Sequence, residues 1–218
     1  MKNLKYKHVI FDWNGTLLND ARICYEPCAE IFKELGMPHI TFEEYKKNLS
    51  YPVIDFYIKY GFDTTKYDYT KISTKYHKRY FERLDECELF DDVIEILEFF
   101  KNYNVSLSIL SALEQNMLIK CVKEKNITDY FIDIIGSDND SAGSKIEKGL
   151  KWFEKKDFND SEVLMIGDTL HDAEVAKNLN IDCFLVARGG QHKDVLETSS
   201  YKVFHSLKDI VSYIKNLD

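Results

Sequence analysis

The sequence predicts an α/β fold with a doubly wound parallel sheet, and two observations carry this prediction. Short apolar runs rich in β-branched residues recur along the chain, and stretches with apolar residues three and four apart separate them. Strands that are apolar almost throughout are typical of a parallel sheet covered by helices on both faces. The long stretch after the first run shows only helical patterns, which predicts an inserted helical unit.

The elements follow in order from these patterns. Strands are predicted at 8–11, 105–110, 132–135, 163–166 and 183–186, and helices at 93–103, 114–125, 145–156 and 172–179. Start signals support three helices: Asp91-Asp92 before Val93, a capping box from Ser111 to Glu114, and Thr169 before a first turn that holds Asp172.

The end of the chain has weaker signals. Gly189-Gly190 mark a loop after the last clear strand, and Val203 with Phe204 predicts a short edge strand. A final helix is expected to end near Leu217.

The inserted unit is predicted as four helices at 23–35, 41–49, 53–60 and 69–84. Gly36 and Gly61 end two of them, and a capping box from Thr41 to Glu44 begins another. The domain boundaries that follow are 1–19 with 89–218 for the α/β part and 20–88 for the helical part. The insert is rich in tyrosine and phenylalanine, which favours a packed helical bundle and leaves open a substrate pocket lined by these rings.

Composition excludes several classes of function. The 218 residues are 44% hydrophobic, enough for a sizeable core, and carry a formal charge of -8, so we expect no binding to nucleic acid. No apolar run approaches the roughly 18 residues of a membrane span, and the N-terminus lacks a signal-peptide pattern, so we expect a cytoplasmic protein. Five scattered cysteines predict reduced thiols, with core packing favoured over metal binding for Cys24 and Cys28.

Three strand ends are predicted to meet at one crevice. Ligands of a doubly wound sheet bind beyond the carboxyl ends of the strands, where the strand order reverses. If the first strand lies between those ending at Leu110 and Ile166, this point brings together Asp12, Ser111 and Asp168.

The heptapeptide from Phe11 to Leu17 reads Phe-Asp-Trp-Asn-Gly-Thr-Leu. Asp12 alone would suit a turn, but its place after a buried strand and before Gly15-Thr16 favours a functional carboxylate. Gly15 suits a loop that approaches a phosphate closely, with the amides of Trp13 and Asn14 directed at the same oxygens. Ser111 could be a helix cap, and a helix N-terminus at this strand end would also favour an anion.

The run from Gly167 to Asp172 adds two acids, Asp168 and Asp172, to this crevice. Either acid could be a helix cap or a first-turn charge. Asp12 and Asp168 would repel each other in a partly dry crevice unless a hard cation lay between them. Magnesium suits such oxygen ligands and bridges to substrate phosphate.

These motifs resemble the haloacid dehalogenase superfamily, in its phosphoglycolate phosphatase-like form, whose first motif is usually Asp-x-Asp-Gly-Thr. The resemblance implies a cap domain at 20–88 and a Mg²⁺ ion held by Asp12, the carbonyl of Asn14, Asp168 and Asp172. It also implies phosphate contacts from the 13–16 loop and from Ser111-Ala112, and a phosphate-binding lysine. Lys145 fits that lysine best and Lys148 is the alternative. His171 is expected at the surface, with contact to a leaving group left open.

The resemblance further implies a phosphatase in which Asp12 attacks a small phosphomonoester and water hydrolyses the aspartyl-phosphate. The family's second aspartate protonates the leaving group, whereas Asn14 cannot, and such an acid is worth about 10² to 10⁴ in rate. Turnover would then be slow, selective for leaving groups of low pKa, or dependent on another acid such as His171. A phosphomutase, a dehalogenase and a regulatory phospho-ligand-binding module remain alternatives, and the sequence leaves the substrate and the oligomeric state open.

Overall fold

The sheet has six parallel strands in the order β3-β2-β1-β4-β5-β6. The structure is a computed structural model and describes residues 4–138 and 143–217. The strands are β1 His8–Phe11, β2 Ser106–Glu114, β3 Asp133–Ser137, β4 Val163–Gly167, β5 Asp182–Val186 and β6 Lys202–Phe204. The prediction of a doubly wound parallel sheet is confirmed, with β1 between β2 and β4 at the point where the strand order reverses.

Ten α-helices accompany this sheet in the described residues. They are α1 Ala21–Glu34, α2 Phe42–Asn48, α3 Val53–Lys59, α4 Tyr69–Arg83, α5 Val93–Asn102, α6 Gln115–Glu124, α7 Gly143–Phe153, α8 Leu170–Leu179, α9 Lys193–Leu196 and α10 Leu207–Ile214. Short 3₁₀ turns lie at Leu84–Glu86, Thr128–Tyr130 and Asp160–Glu162. None of the helices in the ranges just given is long and apolar enough to span a bilayer.

Each face of the sheet has its own apolar core. Alternate residues of β1 divide between the two cores, because successive strand side chains point to opposite faces. Val9 and Phe11 pack in one core with residues of α5, α6 and α10. Ile10 packs in the other with residues of α8. The central strands are therefore buried on both sides, as their near-continuous apolar sequences predict.

The capping box predicted from Ser111 to Glu114 is wrong. β2 continues to Glu114, which pairs with Ser137 after a register shift, so the chain stays extended past Ser111. Ser111 Oγ accepts a hydrogen bond from the amide of Leu113 at 3.1 Å, whereas Glu114 caps α6 through the amides of Asn116 and Met117. The pairing of β2 with β3 thus stabilises an extended chain at residues where the local sequence favours the start of a helix.

The helices between β1 and α5 pack around a third apolar cluster that includes Phe32, Phe56 and Tyr57. The predicted capping box of Thr41 and Glu44 is present, and Gly36 and Gly61 follow α1 and α3 with φ of +67° and +92°. The aromatic residues of the insert are therefore core material, as favoured from the sequence. The division into two domains at 20–88 remains a prediction.

Candidate active site

Three buried carboxylates meet at the carboxyl edge of the sheet. Asp12 follows β1, Asp168 follows β4, and Asp172 lies in the first turn of α8. One oxygen from each lies within 4.8 Å of the others. The parallel pairing of β1 with β4 places the residues that follow the two strands side by side. The pairing extends to Asp12, whose amide donates to the carbonyl of Ile166 at 2.9 Å.

Lys145 lies between two of these acids. Its Nζ is 2.5 Å from an oxygen of Asp12 and 2.5 Å from an oxygen of Asp172, and its side chain is only 3% exposed. Lys148, the alternative from the sequence, pairs with Asp138 at the surface. Of the two lysines, only Lys145 enters the acid cluster.

The pKa values of the three acids shift in different directions. Loss of solvent raises the pKa of Asp12 to about 7, although Lys145 opposes the shift. Burial and repulsion from Asp12 also raise the pKa of Asp168 well above its usual range. Asp172 is equally buried, but Lys145 and the Thr169 hydroxyl together outweigh that effect and lower its pKa. Burial alone would lower the pKa of Lys145, yet its two acidic partners raise it. The single ammonium group of Lys145 therefore does not neutralise the charge of three carboxylates.

Asp168 is the acid that most needs a further cation. Within residues 4–138 and 143–217 no lysine or arginine forms an ion pair with it. Its carboxylate accepts hydrogen bonds from Thr16 Oγ1 at 3.0 Å and from the amide of Gly190 at 2.6 Å. A buried carboxylate without a cationic partner, next to a second acid of raised pKa, fits a divalent cation that takes oxygen ligands.

Two glycines allow the backbone to approach Asp168 closely. A Cβ added at Gly15 would lie 2.3 Å from an Asp168 oxygen, and Gly15 also has a φ of +70°. A Cβ at Gly189 would lie 2.1 Å from the same oxygen and 2.5 Å from the carbonyl oxygen of Gly15. Side chains at these positions would displace the carboxylate or the loop.

Arg188 ties together the loops that hold the acids. Its guanidinium donates to the carbonyl of Thr16 at 2.5 Å and to Asp92 at 2.6 Å, and it lies 4.0 Å from the Phe90 ring centre. Asp92 also accepts from the amide of Leu207 at the start of α10 at 3.0 Å. The position of Asp92 before Val93 suggested that its side chain caps α5. It does not, because its carboxylate accepts hydrogen bonds from Arg188 and from the amide of Leu207 instead.

Asn14 belongs to a hydrogen-bonded set that also includes Asp20 and Tyr80. Asn14 Nδ2 donates to Asp20 Oδ2 and to the Tyr80 hydroxyl, both at 2.7 Å. The Tyr80 hydroxyl donates to Asp20 Oδ2 at 2.7 Å, and the amide of Gly15 donates to Asp20 Oδ1 at 2.8 Å. Both amide hydrogens of Asn14 are therefore used, and a carboxylate at position 14 would face another carboxylate.

A cavity of about 590 Å³ joins the acid cluster to the inserted helices. Asp12, Lys145, Asp168 and Asp172 line one end, and aromatic residues of the insert line the other. This volume lies within the usual range for small-molecule sites. The aromatic insert therefore both packs a bundle and lines a pocket, so the two explanations given from the sequence are compatible.

The remaining predicted residues divide into two groups. Asn14, Gly15 and Ala112 line the cavity. Trp13, Thr16 and Ser111 are fully or almost fully buried: the Trp13 amide donates to Asp12, and the Thr16 hydroxyl supports Asp168. Trp13 and Thr16 therefore hold the acids in place. The phosphate contacts expected from the sequence stay a prediction.

The expectation of a surface position for His171 is wrong. Its side chain is 7% exposed and lines the cavity, and its ring stacks on Tyr51 with the ring centres 5.3 Å apart. Burial follows from Tyr51, which the inserted helices bring over the start of α8.

Sequence reasoning missed Asp20, Tyr80, Arg188 and the role of Gly189. Asp20 and Tyr80 meet across 60 positions of the chain, and no local pattern reports such a contact. The Gly189-Gly190 pair was visible, but only as a loop signal.

Comparison with known proteins gives consistent matches. The family model of haloacid dehalogenase-like hydrolases matches residues 9–186. A relative named pyrophosphatase PpaX from Oceanobacillus iheyensis is 24% identical over 219 residues, covering 97% of this chain and 98% of its own. A phosphoglycolate phosphatase from Vibrio vulnificus is 22% identical over 209 residues, covering 91% of each chain.

Solved structures agree in fold. A haloacid dehalogenase-like family hydrolase from Streptococcus pneumoniae has a TM-score of 0.74 at 20% identity, covering 96% of this chain and 98% of its own. The structure of protein tyrosine kinase A from Mycobacterium tuberculosis has a TM-score of 0.79 at 20% identity, with the same two coverages.

Proposed function

The chain belongs to the haloacid dehalogenase-like hydrolase family, and from this premise we propose that it is a magnesium-dependent phosphatase of small phosphomonoesters. The observation that carries the proposal is the buried set of Asp12, Lys145, Asp168 and Asp172 at one end of a cavity of about 590 Å³. Relatives named pyrophosphatase and phosphoglycolate phosphatase support phosphate chemistry.

The proposed roles follow from position and charge. Asp12, the backbone carbonyl of Asn14, Asp168 and Asp172 would hold the magnesium ion. When bound, the ion supplies Lewis-acid stabilisation of phosphoryl oxygens and offsets the repulsion among the acids. Lys145 already donates to Asp12, so its ammonium group lies where it holds the nucleophile and neutralises a phosphoryl oxygen.

The reaction itself would take place at Asp12. A carboxylate oxygen of Asp12 attacks phosphorus and forms an aspartyl-phosphate, while the bond from phosphorus to the leaving oxygen breaks. Water then attacks the aspartyl-phosphate, which releases inorganic phosphate and restores the carboxylate. The helices of residues 20–88 would act as a cap domain that covers this end of the sheet.

Asn14 limits the rate that we expect for this reaction. Its amide cannot protonate the leaving oxygen, and both of its hydrogens are already donated to Asp20 and Tyr80. Loss of a positioned acid costs about 10² to 10⁴ in rate, mainly for basic leaving groups. We therefore expect slow turnover of alkyl phosphates and faster turnover of phosphates with acidic leaving groups.

A phosphate-release assay over varied phosphomonoesters, with pyrophosphate and phosphoglycolate included, tests the proposal with and without magnesium. Release should require magnesium and should fall to background in Asp12→Asn. Lys145→Met should lose activity about as severely, while Lys148→Met, a matched change at the surface, should retain it. No release above the Asp12→Asn level with any substrate would overturn the enzyme assignment.

One competing function is favoured by a specific observation at Asn14. Because Asn14 lacks an ionisable group, the site could hold a phosphorylated ligand without turning it over, as a regulatory module would. Binding of inorganic phosphate or a phosphomonoester that depends on magnesium and Lys145, with no phosphate released after long incubation, would identify that function.

A further inference from the structure

The cavity extends from the acid cluster into the inserted helices. The acid cluster occupies one end, while residues of α1, α2, α3, α4 and the loop before α3 form most of the remaining wall, with Ala112 and Leu113 of β2. A phosphoryl group bound at Asp12 would direct its leaving group towards this wall. The chemistry of the wall therefore indicates what the leaving group is.

The wall is poor in positive charge. Among the described residues, Lys145 is the only lysine or arginine that lines the cavity, and two acids already flank its ammonium group. Five carboxylates line the same cavity: Asp12, Asp20, Asp168, Asp172 and Glu174. Asp20 and Glu174 lie outside the proposed magnesium ligands, so a leaving group with its own carboxylate or phosphate would meet their repulsion. Among the described lining residues it would find no arginine or second lysine to pair with.

The same wall is rich in aromatic rings. Eight tyrosine and phenylalanine side chains line the cavity, among them Tyr51, Tyr76, Tyr80 and Phe81. Tyr76 and Tyr80 are parallel, with ring centres 6.3 Å apart and an interplanar angle of 1°. Tyr51 is 38% exposed at the surface, which leaves it accessible to a ligand beside His171. Aromatic surfaces of this kind pack against other rings, and the negative face of each ring disfavours an anion.

We propose that this cavity takes a leaving group that carries an aromatic ring and no negative charge, so that the substrates are aryl or arylmethyl phosphomonoesters. The inference rests on the proposed phosphatase function and specifies its substrate class. It excludes, as preferred substrates, phosphoglycolate and pyrophosphate, whose leaving groups carry a second negative charge. The missing acid at Asn14 points in the same direction for aryl phosphates, because phenols leave without protonation more readily than alcohols.

A panel of primary alkyl phosphates separates recognition from leaving-group basicity, since each member needs a proton on a similar oxygen. The panel contains benzyl phosphate, cyclohexylmethyl phosphate, glucose 6-phosphate and phosphoglycolate. We expect kcat/KM for benzyl phosphate to exceed that for phosphoglycolate by about ten- to a hundredfold, as burial of one ring predicts. Cyclohexylmethyl phosphate should fall below benzyl phosphate by about threefold, because it fills the space without aromatic contacts.

A charge added to the wall provides the complementary test. Ser73 lies on α4, lines the cavity and is partly buried. Ser73→Arg should raise kcat/KM for phosphoglycolate relative to benzyl phosphate by up to about fivefold, the value of a modest ion pair. Ser73→Gln adds similar length without charge and should leave that ratio unchanged.

The possible outcomes distinguish the two proposals. A higher kcat/KM for phosphoglycolate or glucose 6-phosphate than for benzyl phosphate in the unmodified protein would overturn the substrate assignment and leave the phosphatase intact. Equal values for the benzyl and cyclohexylmethyl esters would overturn its aromatic part. Release from none of the four esters, or from aryl phosphates, above the Asp12→Asn level would instead contradict the phosphatase function itself.

Discussion

Replacing Asn14 with aspartate tests the reasoning about the missing acid most directly. Asn14 Nδ2 lies 2.7 Å from Asp20 Oδ2, so the new carboxylate would face an existing one at hydrogen-bond distance. Two unscreened charges at that separation repel by about 6 kcal/mol at an effective dielectric constant of about 20. The pair would therefore share a proton rather than ionise twice.

The structure predicts different effects for the single and the paired substitution. Asn14→Asp alone loses a charged hydrogen bond and should lower the free energy of unfolding by about 2 to 3 kcal/mol. Asn14→Asp with Asp20→Asn reverses the amide and the carboxylate, and should recover most of that loss. It also puts an acid free of carboxylate repulsion at position 14, so alkyl-phosphate turnover should rise by about 10² or more.

The assay compares kcat for benzyl phosphate and phenyl phosphate in each variant, together with chemical denaturation. Asp20→Asn alone is the control, because it changes the pair without adding an acid at position 14. The gain in the double variant should be much larger for benzyl phosphate, whose alcohol needs the proton. Equal gains on both esters, or no recovery of stability in the double variant, would refute the account of Asn14.

Three further predictions concern other parts of the site and core. Gly189→Ala should abolish activity, because its Cβ would lie 2.1 Å from an Asp168 oxygen, whereas Gly190→Ala, at 3.4 Å, should be tolerated; equal activity of both variants would contradict this. Magnesium at about 100 times its Kd should stabilise the protein by about 2.7 kcal/mol in thermal unfolding, and Asp168→Asn should remove most of that shift. Burial lowers the pKa of His8 to about 4. As the pH falls, this histidine therefore becomes protonated in the unfolded state before it does so in the folded state. Stability should then be full above about pH 6.5 and fall as pH drops towards 4, by up to about 3 kcal/mol, and His8→Phe should lack this decline in denaturant titrations at each pH.

Much of the fold was predictable because the signals for it are local. The runs at 8–11 and 163–166 became β1 and most of β4, since continuous apolar sequence both defines a buried strand and limits its length. Helix ends agreed to within a few residues where a cap or a glycine marked them. The end of β2 was misplaced, because its last residues pair with β3 and that pairing has no counterpart in the local sequence.

The acid cluster was predictable for a different reason. A parallel sheet gathers residues that follow its strands, so Asp12 and Asp168 meet once the strand order is known. Asp20 and Tyr80 could not be found in this way, since their contact depends on how α4 packs against α1, which Asp20 precedes. Their absence from the prediction matters, because they determine what a carboxylate at position 14 would meet.

Arg188 connects α10 to the loop that follows Asp12, although α10 itself does not line the cavity. Asp92 receives both the Arg188 guanidinium and the first amide of α10, while the same guanidinium holds the carbonyl of Thr16. Shortening the carboxyl terminus into α10 would loosen Asp92, then Arg188, and finally the turn that carries the nucleophile. The terminus is therefore a poor place for deletions or fusions that cut into α10, although the helix lies outside the cavity.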